Sequence, residues 1–489
     1  MITLPIWLVV VVVAMAVFAF VNNLFLPVVR WFLRRRVNRM IEEVNTRLSL
    51  ELPTFQITKR KVLIDRLTYD PEVMAAVEKV SHEQDLPRSA VMATVATYSR
   101  EMVPAFNAYF YFRVGIWIFK RILRIFYRVR LGHTDEHAYD VFAPNTSIVL
   151  IMNHRSNIDY LLVTYLASRN TTLSVGAGEW ARIWPFNQLM RIAGAYILRR
   201  AADDPLYRKV LERYVQMATE ACVPHAVFAE GQLSRDGAIG EAKYGMLGYI
   251  IKKFDPDGDT DIMFAPVGVN YDWVLEADTL SVNVETDFRG RGARFVLGSF
   301  LRTTLKNIKY AILHRDTLLG TASASFGSAI SFKTWLKNRD IDYKALSKQQ
   351  WFDTVKLLAD DIMVEIGKVV PALALPIVAN VLCRTDQPLT ELELKANSHD
   401  LMSQLSACGA DVAIQKGSED AAIDQALQTL IRRGLVTLDD QGLIKLDPDT
   451  FQMLKFHANS IAHFEPAGLE RDHVYDVLPV ADNVVPVKP

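Results

Sequence analysis

Apolar and polar positions change period along this chain, and each change predicts a different kind of element. From Pro5 to Val29 there is no charged residue, and Ile6–Phe20 is almost continuously aliphatic or aromatic. That length suits a membrane-crossing helix. No basic residue precedes it, while Arg30, Arg34, Arg35 and Arg36 follow at once, so the positive-inside rule predicts an uncleaved anchor with the remainder in the cytoplasm. Residues from about Asn38 to Val103 read as helical, with a break near Leu52-Pro53. Across Tyr109–Leu131, Arg113, Lys120, Arg124 and Arg128 recur at helical spacing opposite aromatic and aliphatic residues. This predicts an amphipathic helix lying in the lipid headgroup zone, the plainer alternative being a domain helix with a solvated basic face.

From about His137 to Phe332 strand and helix patterns alternate. Strands are predicted at Thr146–Met152, Thr172–Val175, Ala195–Leu198, Ala226–Ala229, Ile262–Val269, Ser281–Val284 and Ala322–Phe326. Helical stretches lie between them at Ile158–Leu166, Trp184–Ile192, Pro205–Cys222 and Gly240–Lys253. That alternation predicts an α/β domain with a central sheet. After Trp351 the pattern turns mostly helical, and Val369–Val381, interrupted by Pro371 and Pro376, is too short to span a bilayer. The helical runs Thr390–Leu405 and Glu419–Arg433 precede a hairpin, Leu435–Leu438 with Leu443–Leu446, an order that resembles a winged helix. The predicted division is an anchor (1–30), a helical region (31–105), the interfacial helix (106–132), the α/β domain (133–345), the helical C-terminal domain (351–465) and a loosely ordered tail (466–489).

Composition narrows the partners. The 489 residues hold 55 Lys+Arg against 55 Asp+Glu, so no global charge points to nucleic acid and an electrostatic partner must meet a local patch. Cys222, Cys383 and Cys408 are far apart and lack metal spacing, which fits a reducing compartment.

The chemistry gathers around Ser147–Leu162, where an apolar run breaks into Asn153-His154-Arg155-Ser156-Asn157 before a second apolar stretch. Ser156 is placed to cap the following helix, with Asp159 in the reciprocal position. A histidine then stands at the carboxyl end of a strand, where open α/β sheets bind ligands, with a carboxylate able to orient it as a base. By themselves such a pair is as readily a loop histidine and a capping aspartate. Gly194–Arg200 ends a strand in Arg199 and Arg200, two guanidinium forks suited to a phosphate. In Phe228–Gly237, Gly231 and Gly237 permit tight turns while Ser234 and Arg235 add a donor and a cation, a combination that can cradle a phosphate. Glu230 reads equally as a ligand for acceptor hydroxyls and as a structural carboxylate bonding loop amides. Phe264–Tyr271 is an apolar strand carrying Pro266.

Taken in this order, the four strings resemble the conserved blocks of the glycerolipid acyltransferases, the first through its His-(four residues)-Asp spacing. Arg-Ser after the histidine and Trp184-Pro185 ahead of the second block resemble the glycerol-3-phosphate acyltransferase branch. Ser325-Phe326-Gly327 resembles the family's closing strand, and Phe456–Phe464 a C-terminal motif of the long bacterial members, so the likeness covers about residues 100–465 and implies a shortened member. The resemblance implies a membrane-anchored acyltransferase of the inner membrane's cytoplasmic face, moving a fatty acyl group from acyl-CoA or acyl-carrier protein to the sn-1 hydroxyl of glycerol 3-phosphate. His154 and Asp159 would be catalytic; Arg155, Ser156, Arg199, Arg200, Glu230, Gly231, Ser234 and Arg235 would bind substrate; Pro266 would shape the acyl-donor site by packing. No cofactor or metal is called for, because a thioester is already activated. The third block departs from the family in carrying Leu233 where an arginine is expected, so either the phosphate grip is weaker or another cation such as Lys243 compensates, with lysophosphatidate or dihydroxyacetone phosphate as alternative acceptors. A membrane-tethered adaptor built on the winged-helix-like end is the rival from another class, although Glu419–Arg433 lacks the basic cluster that DNA binding needs.

Overall fold

The computed structural model describes residues 53–134, 146–168, 172–177, 186–199, 204–277, 319–385 and 387–464. The anchor, the strand expected at Ser281–Val284, Trp184-Pro185, Arg200 and the C-terminal tail lie outside these. Among the described residues no helix is long and apolar enough to cross a membrane.

A mixed sheet organises the chain. Its path runs β1 (Arg128–Thr134), β7 (Thr321–Phe326), β6 (Asp261–Tyr271), β2 (Thr146–Met152), β5 (His225–Phe228), β3 (Ser174–Ala177) and β4 (Tyr196–Ile197), with β8 (Ile330–Ser331) paired to β6. The strands from β6 to β4 are parallel, whereas β7 is antiparallel to β6 and carries β1 parallel to itself. Strand β2 is buried on both faces, which is why its sequence is an unbroken apolar run. Ile148, Leu150 and Met152 join one core with helices α4 (Ile116–Phe126) and α5 (Asp159–Ala167). Val149 and Ile151 join a second with α2 (Pro71–Glu83), α3 (Arg88–Met102), α7 (Pro205–Glu220) and α8 (Tyr244–Ile251). Helix α1 (Arg60–Thr68) precedes these in the N-terminal helical layer.

The expected interfacial helix is shorter than its basic repeat. After a π-turn at Tyr111–Gly115, α4 ends at Phe126, and Arg128–Thr134 is β1. Arg128-Val129-Arg130-Leu131 satisfies a period of two as well as a basic helical repeat. Pairing of Arg128 to Thr321 and Leu131 to Ala324 settles it in favour of the strand. The sheet therefore begins before residue 133.

Two capping boxes, Ser347 with Gln350 and Thr390 with Glu393, start α9 (Lys348–Val369) and α11 (Glu391–Ala407). Between them lies α10 (Ala374–Arg384), followed by a bridge from Leu389 to Ile444. Helix α12 (Glu419–Arg432) and the hairpin β9 (Val436–Leu438) with β10 (Ile444–Leu446) complete a winged-helix order before α13 (Phe451–Ala458). This C-terminal unit presses on the sheet backbone to backbone. A Cβ at Gly268 of β6 would stand 2.3 Å from the carbonyl oxygen of Val369, and one at Gly237 1.8 Å from that of Phe456.

Candidate active site

Strand β2 delivers the sequence Asn153-His154-Arg155-Ser156 to the carboxyl edge of the sheet. Asn153 locks the loop in plane: its amide donates to the carbonyl of Val269 at 2.9 Å and its oxygen accepts from the Val269 amide at 2.7 Å. His154 follows with its ring stacked on Phe228, centroids 3.8 Å apart. Its Nδ1 lies 2.9 Å from Oδ2 of Asp159. That carboxylate is fully buried and already accepts from the amides of Arg155 (2.7 Å) and Ser156 (2.9 Å), and at Oδ1 from the Tyr271 hydroxyl (2.6 Å). A carboxylate holding three donors is committed to accepting, so Nδ1 carries the proton and Nε2 presents its lone pair.

The reciprocal cap is half formed. Asp159 bonds the Ser156 amide, but the Ser156 hydroxyl donates to Glu276 at 2.7 Å and accepts only a long bond, 3.4 Å, from the Ile158 amide at the helix start. Asn157 also donates to Glu276, through its amide at 3.2 Å and its side chain at 3.1 Å. Burial pushes the Glu276 carboxyl up, and these donors pull it part of the way back. Tyr271 and Glu276 are the site residues the sequence did not single out. Tyr271 closes the fourth block's strand and Glu276 lies just beyond it.

The other expected ligands divide by what they touch. Glu230 holds the loop, accepting from the amides of His154 (3.0 Å) and Gly240 (3.2 Å), so its carboxylate oxygens face backbone. Ser234 closes its own turn, donating to Ala238 at 2.7 Å and accepting from the Gly237 amide at 3.0 Å. Arg199 forms a bidentate pair with Glu101 at 2.8 to 3.0 Å and lies over the rings of Tyr98 and Tyr207, and it does not line the cavity beside His154. Arg155 is buried behind the site, its guanidinium over Phe456 and one nitrogen donating to the Gly237 carbonyl. Burial pulls that guanidinium down to about 10, although Glu230 and Asp159 oppose the shift. Arg235 is exposed on the loop, and Lys243 lays its stem against Gly231, a position of φ +65° that suits glycine. Pro266 lies within β6 against Gly327.

A cavity of about 150 Å³ opens beside His154, Asn157 and Gly231 and continues between Val175, Met190 and Met246. Its far wall is apolar, and Gly176 leaves room there that a Cβ, 2.5 Å from Leu198 Cδ1, would take. A base at the mouth of an apolar slot can deprotonate a hydroxyl beside a bound hydrocarbon chain. Among the described residues no group of His, Cys, Asp and Glu could hold a metal ion.

Two parts of the chain match known family models. Residues 133–270 match the acyltransferase family model, and residues 305–465 match that of the glycerol-3-phosphate acyltransferase C-terminal region. These two regions are similar to the acyltransferase superfamily and to its glycerol-3-phosphate acyltransferase branch. A glycerol-3-phosphate acyltransferase of Alteromonas mediterranea is 24% identical over 85% of this chain and 51% of its own length. One of Pseudomonas putida is 29% identical over 46% of this chain and 27% of its own. The chain thus spans about half or less of the length of these relatives. A solved 1-acyl-sn-glycerophosphate acyltransferase from Thermotoga maritima shares 15% identity at a TM-score of 0.27, over 62% of this chain and 98% of that one.

Proposed function

We propose that this acyltransferase moves a fatty acyl group from a thioester donor, acyl-CoA or acyl-carrier protein, to the sn-1 hydroxyl of glycerol 3-phosphate. The observation that carries the reading is the His154–Asp159 pair at the mouth of an apolar cavity. Nε2 of His154 takes the hydroxyl proton as the acceptor oxygen attacks the thioester carbonyl. The imidazolium, steadied by Asp159, returns that proton to the sulfur as the C–S bond breaks. The names of the relatives support the acceptor, since they are glycerol-3-phosphate acyltransferases. Arg199 is engaged by Glu101, so the acceptor phosphate falls to the loop at Gly231, with Lys243 and Arg235 as its cations.

Membrane attachment belongs to the same proposal. Arg113, Trp117, Arg121 and Arg124 form an exposed ridge along α4 and the turn before it, with Trp117 66% exposed. Aromatic and basic side chains on one exposed ridge suit the headgroup layer of the cytoplasmic face of the inner membrane.

The deciding experiment offers labelled acyl-CoA and acyl-carrier protein to the purified full chain with glycerol 3-phosphate, lysophosphatidate and dihydroxyacetone phosphate side by side. Glycerol 3-phosphate is expected to be consumed fastest, and His154→Ala to lower turnover by ~10²–10⁴ while the protein stays folded. Near-normal turnover by that variant, or preference for another acceptor, refutes the reading.

A further inference from the structure

Away from the catalytic edge, three arginines crowd the carboxyl end of α3. Arg60 donates through Nε to the carbonyl of Val103 at 3.0 Å and through Nη2 to that of Arg100. Arg191, from α6 (Phe186–Ile192), donates to the same two carbonyls, at 3.2 Å for Val103. One guanidinium is enough to satisfy two helix-end carbonyls, so the second is an excess of charge rather than a cap. No carboxylate pairs with Arg60, Arg100 or Arg191 among the described residues; the nearby Glu101 is held bidentate by Arg199. Burial, then the charge of Arg100, pull the Arg60 guanidinium down, and burial, then Arg60, do the same to Arg191. Beside the pair lies an open groove of about 380 Å³, completed by Ala105, Asn187, Gln188 and Ile192.

We infer that this groove binds a phosphate group, held between the guanidiniums of Arg60 and Arg191. Guanidinium nitrogens not used on the carbonyls match the tetrahedral oxygens of a phosphate, and the anion would add to the countercharge of Glu101, which opposes the shift of Arg191 but is itself held by Arg199. Two sources carry such a group: a membrane phospholipid and a soluble phosphate ester. The chain itself favours the lipid. Ala105 and Asn107 bond the carbonyls of Arg191 and Ile192, and the next residues lead into the helix that exposes Trp117. The site is independent of the acylation reading, because it lies apart from the cavity at His154.

The test titrates inorganic phosphate calorimetrically into the full chain in detergent, and floats the chain with phosphatidylcholine vesicles with or without phosphatidylglycerol. Gln188→Glu, which sets a carboxylate in the groove without touching either cap, is compared with wild type and with Arg191→Gln. Phosphate affinity is expected to fall by about tenfold or more in Gln188→Glu. Flotation with anionic vesicles should weaken in parallel, with acylation turnover in detergent unchanged. Loss of phosphate binding with unchanged flotation assigns the groove to a soluble phosphate ester. Wild type and Gln188→Glu that bind phosphate and vesicles alike overturn the proposal and leave the arginines as helix caps. Phosphate held at the acceptor site persists in both proteins, so it does not mask the result.

Discussion

Tyr271 helps fix the carboxylate that orients His154. Its hydroxyl is one of four donors on Asp159, with two backbone amides and Nδ1 of His154, and the 2.6 Å contact is sealed from water. Removing it in Tyr271→Phe frees one side of the carboxylate, which then holds the His154 ring less firmly. Turnover is expected to fall by roughly tenfold with KM little changed and the protein still folded. Unchanged turnover would reduce Tyr271 to packing. The site was legible where its partners are close in sequence: Asp159 lies five positions from His154 and the spacing itself is a signal. Tyr271 is 112 positions from Asp159 and Glu276 is 120 from Ser156, with no local pattern to join them. The partner of Arg199 was hidden for the same reason, because the carboxylate that pairs with it lies 98 positions earlier.

Elements were read best where a single period had no competitor. Thr146–Met152 is a strand in pattern and in structure because its six residues from Ser147 on, buried between two helical layers, leave only one reading. The stretch ending at Leu131 carried two periods at once, and pairing with residues 193 positions away chose between them. What remains of the basic helix still exposes Trp117 between Arg113 and Arg121. Replacing that indole in Trp117→Ser is expected to weaken flotation with anionic vesicles, and added salt to weaken it further, since the arginines remain as the electrostatic component. Equal flotation of variant and wild type would assign the ridge to solvent.

At the scale of the molecule, the C-terminal unit is fastened through a buried histidine. His457 is fully buried, with its ring against Trp273 at 4.7 Å between centroids. Burial, reinforced by Arg155 and Arg433, holds its pKa well below 6.5. Below pH 6.5 the unfolded chain takes up a proton that the folded chain refuses. The stability His457 supports is therefore present above that pH and lost as pH falls, by up to about 1.4 kcal/mol per unit. Melting temperatures measured from pH 7.5 to 5 are expected to fall less steeply in His457→Phe than in wild type. Parallel curves would show that the ring does not report the junction.

The two glycines pressed by the C-terminal backbone set a rule for heredity as much as for packing. Where Gly237 and Gly268 stand, the polypeptide of the helical unit fills the volume a methyl group would need. A recombinant that joins this sheet to the corresponding helical half of a distant cousin should fold only if the donor half follows the same path past both points. Conversely, a cousin bearing alanine at either position must route its own chain differently. Halves of such proteins are therefore expected to be exchanged as matched sets, and gene fusions cut near residue 345 to be viable only between close kin.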